Sequence, residues 1–274
     1  MQITVVIPTY NRYALLSRAI NSVLSQTYKP IEIIVVDDGS TDNTRDIQSD
    51  FPSVIYIYQE NSGVSSARNR GIKSTSSEWI AFLDSDDEWL PTKLEEQVVF
   101  HQEHSTILMS YTDETWIRDG MNVKIPKKFK KIGKDAFAEN LSYCNIAPSS
   151  SLIHKNLFKS IGMFDEALEV CEDYDLWLRI SLKSTIALVD KKLIKKYAGH
   201  ADQLSFKHWG MDRFRIITLE NLLRDEENLI PEKRELIEKE LLKKYTLLLK
   251  GALKHKRKQD IKTYEEKIAE FRLV

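Results

Sequence analysis

The 274-residue chain carries 40 Lys and Arg against 41 Asp and Glu, a formal net charge of -1, with 42% hydrophobic and 30% charged residues. That balance excludes a disordered or fibrous chain and lacks the basic excess of a nucleic-acid binder, so no nucleic-acid partner is expected. A chain this long buries roughly 70–75% of its unfolded surface and needs no disulfide or metal to fold, so the distant Cys144 and Cys171 read as the reduced thiols of a cytosolic protein.

Met1-Gln2-Ile3 runs directly into an apolar stretch with no basic leader, and no run approaches the ~20 apolar residues that span a bilayer. The expectation is a cytoplasmic protein without a signal peptide or membrane span, with attachment at the inner membrane face left open. Ile3–Ile7 is a β-branched run stopped by Pro8, predicting a first strand, and Leu16, Ile20, Val23, Leu24 and Thr27 follow at helical spacing. Ile31–Val36 predicts a second strand. Ser40 and Thr41 open a short helix over Asp42–Gln48. Val54–Tyr58 predicts a third strand, Val64–Ser74 a helix, Trp79–Leu83 a fourth strand, and Pro91 suits the first turn of a helix running to about Glu103. Apolar strands alternating with amphipathic helices imply an α/β fold with a mainly parallel sheet.

The pattern then loosens. Ile107–Tyr111 predicts a strand, Lys124–Lys134 a basic loop, Ser149–Ile153 the start of a strand, Asp173–Leu182 a helix, and Thr185–Val189 and Leu193–Tyr197 two short strands. From about Trp209 the chain becomes helical, with Ile237, Leu241, Tyr245, Leu248 and Ala252 forming an apolar stripe. These changes divide the chain into 1–105, 106–205, where a second substrate would be accommodated, and a helical extension over 206–274.

In parallel sheets ligands bind at the carboxyl ends of the strands. Here those ends are Pro8-Thr9-Tyr10-Asn11-Arg12, Asp37-Asp38-Gly39-Ser40 and Asp84-Ser85-Asp86-Asp87. An isolated D-x-D is weak, but its place after a buried strand, beside two other polar strand ends, favours a hard divalent ion joining carboxylate to phosphate. A carboxylate at Asp37-Asp38 needs a donor, and the imino N–H of uracil, thymine or guanine is one; a turn or helix cap is the plainer use, and the pair can divide the two. Tyr10 suits stacking on a base or plain packing. Arg68 and Arg70 lie on the helix after Gly63, where one would reach a ribose or diphosphate and the other stay solvated.

Taken together, Val6–Arg12, Val36–Asp42, Gly63–Asn69, Phe82–Asp87, Gly162–Glu166 and Glu172–Arg179 resemble glycosyltransferase family 2, in order and spacing over about residues 1–205. The resemblance implies a GT-A (Rossmann-like) fold with a mixed, mainly parallel sheet flanked by helices. It implies an inverting, metal-dependent transfer from a nucleoside-diphosphate sugar, a UDP-sugar first, to a hydroxyl of a glycan or lipid-linked sugar in cell-surface glycan or polysaccharide synthesis. Pro8, Thr9, Tyr10, Arg12, Asp38, Arg68, Asp84 and Ser85 would line the nucleotide site. Asp86, with His200 more weakly, would hold Mn2+ or Mg2+. Asp173 would be the catalytic base, with Glu172 and Trp177 supporting the acceptor side, although Trp177 also suits the core and Glu172-Asp173 also suits a helix cap. Acidic Glu172 and Asp175 would raise the Asp173 pKa while the helix start would lower it. The family's processive signature and membrane helices are absent from this sequence. A sugar nucleotidyltransferase and a non-catalytic nucleotide-sugar-binding protein stand as alternatives. The first is disfavoured because Pro8–Arg12 is not Gly-rich; the second is disfavoured by the presence of Asp86 and Asp173.

Two features lie outside these motifs. Trp209 suits either sugar stacking or anchoring of the helical tail. Lys243, Lys244, Lys250, Lys254, Lys256, Arg257 and Lys258 form a run without acids, read first as a solvated helix face, with an anionic lipid surface or a homodimer contact as alternatives.

Overall fold

The strand β1 (Ile3–Thr9) is buried at every position, as a β-branched run with no alternation requires when both sheet faces are covered. The computed structural model describes residues 1–197, 199, 208–225 and 229–272. They fall into two compact units, Met1–Ala201 and Asp202–Val274.

In the first unit, β1 pairs in parallel with β2 (Glu32–Asp38) on one side and β4 (Trp79–Phe82) on the other, and β3 (Ile55–Gln59) extends the sheet beyond β2. Ile3, Val5 and Ile7 meet Leu16, Ile20 and Val23 of α1 (Tyr13–Leu24), while Val6 belongs to the opposite face with Ile72 of α3 (Val64–Ser74). A β-carbon on Gly71 of α3 would stand 2.3 Å from Val6 Cγ1, so this helix lies at a distance that only glycine allows. A short helix α2 (Ile47–Asp50) follows a 3-10 turn over Asn43–Asp46, where a single short helix was expected.

Beyond β4 the sheet becomes mixed. Its order is β3-β2-β1-β4-β8-β6-β9-β5, with β7 paired only to β6. The added strands are β5 (Glu88–Trp89), β6 (Met109–Arg118), β7 (Met121–Val123), β8 (Leu152–His154) and β9 (Ile186–Tyr197). β8 runs antiparallel to β4 and β6, while β9 runs parallel to β6. Helices α4 (Lys93–Glu103), α5 (Ala136–Leu141), α6 (Lys155–Ile161) and α7 (Glu172–Lys183) complete the unit.

Three local readings change. The two expected strands over 185–197 are one strand, because a register shift at Thr112–Glu114 of β6 takes up the polar Asp190-Lys191-Lys192 segment. The expected strand at Ile107–Tyr111 continues to Arg118, turning through Asp119-Gly120, both at positive φ, into β7. Ser149 and Ser150 lie in a 3-10 turn begun by Pro148, and the Ser150 and Ser151 hydroxyls bond back to Ala147 and Pro148 carbonyls, so the strand starts only at Leu152.

The second unit contains α8 (Asp212–Asp225), α9 (Pro231–Lys254) and α10 (Lys258–Arg272). The stripe Ile237, Leu241, Tyr245, Leu248 and Ala252 is buried, as are Ile216, Leu219 and Leu222 of α8. The basic run is not a uniformly solvated face. Lys244 is buried between Asp212 and Glu240, each 3.0 Å away, and Arg257 lies 4.1 Å from the Trp209 ring, which Arg213 also approaches at 3.9 Å. Trp209 thus anchors the helices, the plainer of its two readings. Among the described residues no helix is long and apolar enough to cross a membrane.

Candidate active site

The ends of β1, β2 and β4 lie side by side because β1 pairs with both neighbours. Asn11, at φ 53, stitches two of them: its backbone N–H donates to Ser40 Oγ (2.8 Å) and its side-chain oxygen accepts from the Thr41 N–H (2.7 Å). Asp37 accepts from the Ser40 N–H (2.8 Å) and from the Tyr56 hydroxyl, so it is the turn-forming member of the pair.

Asp38 is 5% exposed and holds the loop into α3: Oδ1 accepts from Gln59 (2.7 Å) and the Ser62 N–H (2.9 Å), and Oδ2 from the Gly63 N–H (2.8 Å). An ionised carboxylate offers about four lone-pair sites, so three bonds leave room for one further donor. Tyr10 is 45% exposed at the mouth of β1, while Pro8 is buried. The buried Thr9 hydroxyl has no hydrogen-bond partner among the described residues, a deficit that a bound polar group would relieve.

The β4 end is acidic and its charges are individually handled. Arg12 Nη1 meets Asp86 at 2.9 Å, and Arg18 donates to the Asp86 carbonyl. Asp84 receives Arg68 Nη2 at 2.7 Å. Asp87 is buried, accepting from the Ser149 hydroxyl (2.6 Å) and the Tyr197 N–H (3.3 Å). Burial raises its carboxyl pKa, and Asp86 and Asp84 add to the rise against the opposing Lys196. Ser85 is buried between them.

Arg68 spans the site. Its other guanidinium nitrogen meets Glu172 at 2.6 Å, tying the β4 end to the first residue of α7. Burial opposes its charge, but Asp84 and Glu172 outweigh burial and hold it protonated. Glu172 is itself raised by burial and by Asp173, with Arg68 opposing. Asp175 turns to Arg179 (2.6 Å), so both acidic neighbours of Asp173 are paired with arginines. Asp173 is half-buried at the α7 start, just after Cys171, which stands at φ 67, a left-handed conformation costly for a non-glycine residue. The Cys144 thiol is raised by burial and by Asp173 within hydrogen-bond reach. Lys196 of β9 ties the set together. Burial opposes its charge, yet Glu114, Asp87, Asp84 and Asp173 outweigh burial and raise its pKa.

Among the described residues no group of three or more His, Cys, Asp or Glu is gathered for a metal ion. A hard divalent ion that binds through one or two carboxylates and diphosphate oxygens needs no such cluster, and Asp84 and Asp86 supply oxygen donors of that kind.

The glycosyl transferase family 2 model matches residues 4–162. The chain belongs to that family. A relative from Escherichia coli, UDP-Glc:alpha-D-GlcNAc-diphosphoundecaprenol beta-1,3-glucosyltransferase WfaP, is 34% identical over 208 residues, 74% of this chain and 79% of the relative. An uncharacterized glycosyltransferase of Rickettsia typhi is 36% identical over 199 residues, and the match covers 70% of this chain and 63% of that relative's length. The crystal structure of S. aureus TarS 1-349 in complex with UDP-GlcNAc superposes with a TM-score of 0.78, covering 99% of this chain and 80% of that one at 20% identity, which shows a shared fold.

Within this family 2 domain, the expected Arg12, Arg68, Asp84, Asp86, Glu172 and Asp173 are brought together, and Thr9, Tyr10 and Asp38 line the adjoining strand ends. Arg68 is directed inward to two carboxylates rather than toward solvent, and Arg70 is the exposed arginine of that helix. Trp177 has no exposed surface. It supports the site from within, its indole N–H donating to the Ile146 carbonyl at 2.9 Å, and no acceptor can touch it. His200 lies outside the described residues. Lys196, Glu114 and Cys144 were not expected at the site: pairing of β9 with β6 brings the first two there, and Cys144 arrives on the loop after α5. The sole sequence signal was a lysine run in an otherwise apolar strand.

Proposed function

We propose that this protein is an inverting glycosyltransferase that moves a sugar from a UDP-sugar to a hydroxyl of a sugar carried on a lipid diphosphate, in cell-surface glycan synthesis. One observation carries the reading. Arg68 meets Asp84 at the β4 end at 2.7 Å and Glu172, the residue before the candidate base Asp173, at 2.6 Å, so base and diphosphate-side groups are held on one side chain. The WfaP name supplies a UDP-sugar donor and a diphosphoundecaprenol-linked acceptor, and TarS is titled as a UDP-GlcNAc complex; the first supports the choice of donor and acceptor for this chain, the second the donor alone.

In this mechanism the base stacks on Tyr10, with its imino N–H on the remaining Asp38 lone pair. The diphosphate lies over the β4 end, where Lys196 and Arg12 offset its charge. Mg2+ or Mn2+, held by Asp86 with Asp84, would neutralise further charge on the departing diphosphate. Asp173 takes the acceptor's hydroxyl proton as the acceptor oxygen bonds to the anomeric carbon. The bond from that carbon to the diphosphate breaks, and its electron pair leaves with UDP, inverting the configuration.

The test is Asp173→Asn. It keeps size and loses the base, so transfer should fall by at least 100-fold, within the range for general-base loss, while UDP affinity measured by calorimetry stays within twofold. A variant retaining the wild-type rate removes Asp173 from the mechanism.

A further inference from the structure

The segment between β6 and α7 carries aromatic side chains and cations that the donor chemistry leaves unused. Trp116 and Phe129 ring centroids lie 5.4 Å apart, and Phe129 and Tyr143 5.8 Å apart. All three residues are half-buried, so each retains exposed ring surface. The Lys128 ammonium stands 4.4 Å from the Tyr143 centroid and 5.0 Å from that of Phe129.

This cluster is fixed relative to the candidate base from two sides. Below it, the Trp116 indole N–H donates to Glu114 (2.6 Å), which also holds the buried Lys131 (2.6 Å) and acts on Lys196. Beside it, Tyr143 precedes Cys144, whose thiol neighbours Asp173. The Tyr174 hydroxyl and Trp177 indole bind the Leu141 and Ile146 carbonyls, strapping this stretch to α7. One residue past Cys144, Asn145 Oδ1 is buried with no hydrogen-bond partner among the described residues.

Between Asp119 and Asp135 the loop's own exposed charge has one sign. Lys124, Lys127, Lys128, Lys130 and Lys134 are exposed, and no Asp or Glu lies between Asp119 and Asp135. Exposed like charges crowded in one loop repel, and an anionic ligand relieves that repulsion. Ring faces bind the apolar faces of a sugar, and ammonium groups bind phosphate oxygens. A ligand matching both is a saccharide joined to a phosphate.

We propose that Trp116, Phe129 and Tyr143, rimmed by Lys127, Lys128 and Lys130, form the acceptor subsite, taking a sugar esterified to a diphosphate. The rings hold the sugar beside Asp173 and the lysines hold the diphosphate that carries it. This deepens the glycosyl-transfer reading above and rests on it.

The test measures equilibrium binding of a water-soluble GlcNAc α-linked to a diphosphate monoester, with UDP saturating the donor side. Lys127, Lys128 and Lys130 are at the surface or rim of a loop, so the triple variant to Gln folds, and its UDP affinity is the control. The triple variant should bind the sugar diphosphate at least 10-fold more weakly. Phe129→Leu should weaken the sugar diphosphate at least fivefold and leave inorganic pyrophosphate unchanged. Unchanged affinity in the triple variant overturns the proposal. So does a triple variant that loses phosphatidylglycerol vesicles together with the sugar diphosphate while Phe129→Leu binds normally, since that pattern belongs to a lipid-surface contact. Failure of the wild type to bind UDP, with the sugar diphosphate still bound through the lysines, would instead refute the donor reading and leave this subsite standing.

Discussion

Replacing Arg68 with Met removes the cation that pairs with both Asp84 at the β4 end and Glu172 of α7. Its side chain is 4% exposed, and its partners Asp84 and Glu172 are 27% and 8% exposed. Deleting one member of a buried pair leaves the other charge uncompensated, at a cost of roughly 3–5 kcal/mol. For a unit of this size each kcal/mol lowers Tm by about 2–4 °C, so the expected loss is roughly 6–20 °C. The loss also depends on pH. Without Arg68, burial and Asp173 push the Glu172 carboxyl further above the ordinary 4.5. The folded state then binds more protons than the unfolded state above that value, so stability falls as pH rises from 4.5 toward the new folded pKa. Thermal unfolding followed by circular dichroism should show a larger deficit at pH 8 than at pH 5. Arg68→Met combined with Glu172→Gln should recover part of the loss and flatten its pH dependence. An Arg68→Met protein melting within about 2 °C of wild type at pH 8, well under the shift expected for a broken buried pair, would refute the reasoning.

Other consequences follow from single contacts. His101 is 4% exposed, bonded to the Ile107 carbonyl and the Ser110 hydroxyl, and burial lowers its pKa to about 4. The unfolded state therefore binds the extra proton between about 6.5 and 4, and acidification across that window should cost at most about 3 kcal/mol. His101→Gln should flatten the melting curve against pH over that window; an unchanged slope would assign the acid sensitivity elsewhere. Gly71→Ala should destabilise by about 1–3 kcal/mol through its clash with Val6, despite the better helix propensity of Ala, and adding Val6→Ala should restore most of it in urea unfolding. Lys196→Gln should lower transfer from a UDP-sugar by 10-fold or more, with circular dichroism unchanged; retention of the rate would place the diphosphate away from β9.

The parallel half of the sheet was legible because its signals are local. Ile3–Ile7, Ile31–Val36 and Trp79–Leu83 are apolar runs closed by polar residues, and each is a strand within a residue or two. The strand-end motifs were legible for the same reason. What was hidden is pairing at long range. Arg68 meets Glu172 across 104 positions, and nothing near either residue announces it. Asp38 was expected to face a base, yet most of its carboxylate is spent on the loop at Ser62 and Gly63. Lys196 lies in the expected strand Leu193–Tyr197 with no motif around it, and the register of β9 on β6 is what sets it opposite Trp116. The basic run of the last helices misled in the opposite sense: Lys244 is buried by Asp212, 32 residues earlier.

Burial separates the ion pairs of this site into two kinds. Arg68 with Glu172 and Lys131 with Glu114 have side chains 8% exposed or less, and breaking either strands a charge in a poor dielectric. Those pairs are permanent parts of the fold and hold the base helix and the aromatic segment in place. Arg12 and Asp86 are 20% and 15% exposed, close enough to water for the pair to exchange at small cost. In the proposed mechanism a diphosphate and its cation would therefore draw first on Arg12 and Asp86, whose pairing lies nearer to solvent than these struts. The same residue types, arginine and aspartate, serve as fixed struts or exchangeable ligands according to how far each lies from solvent. The accessible pair is the one at the D-x-D end of β4, where the leaving group would develop its charge.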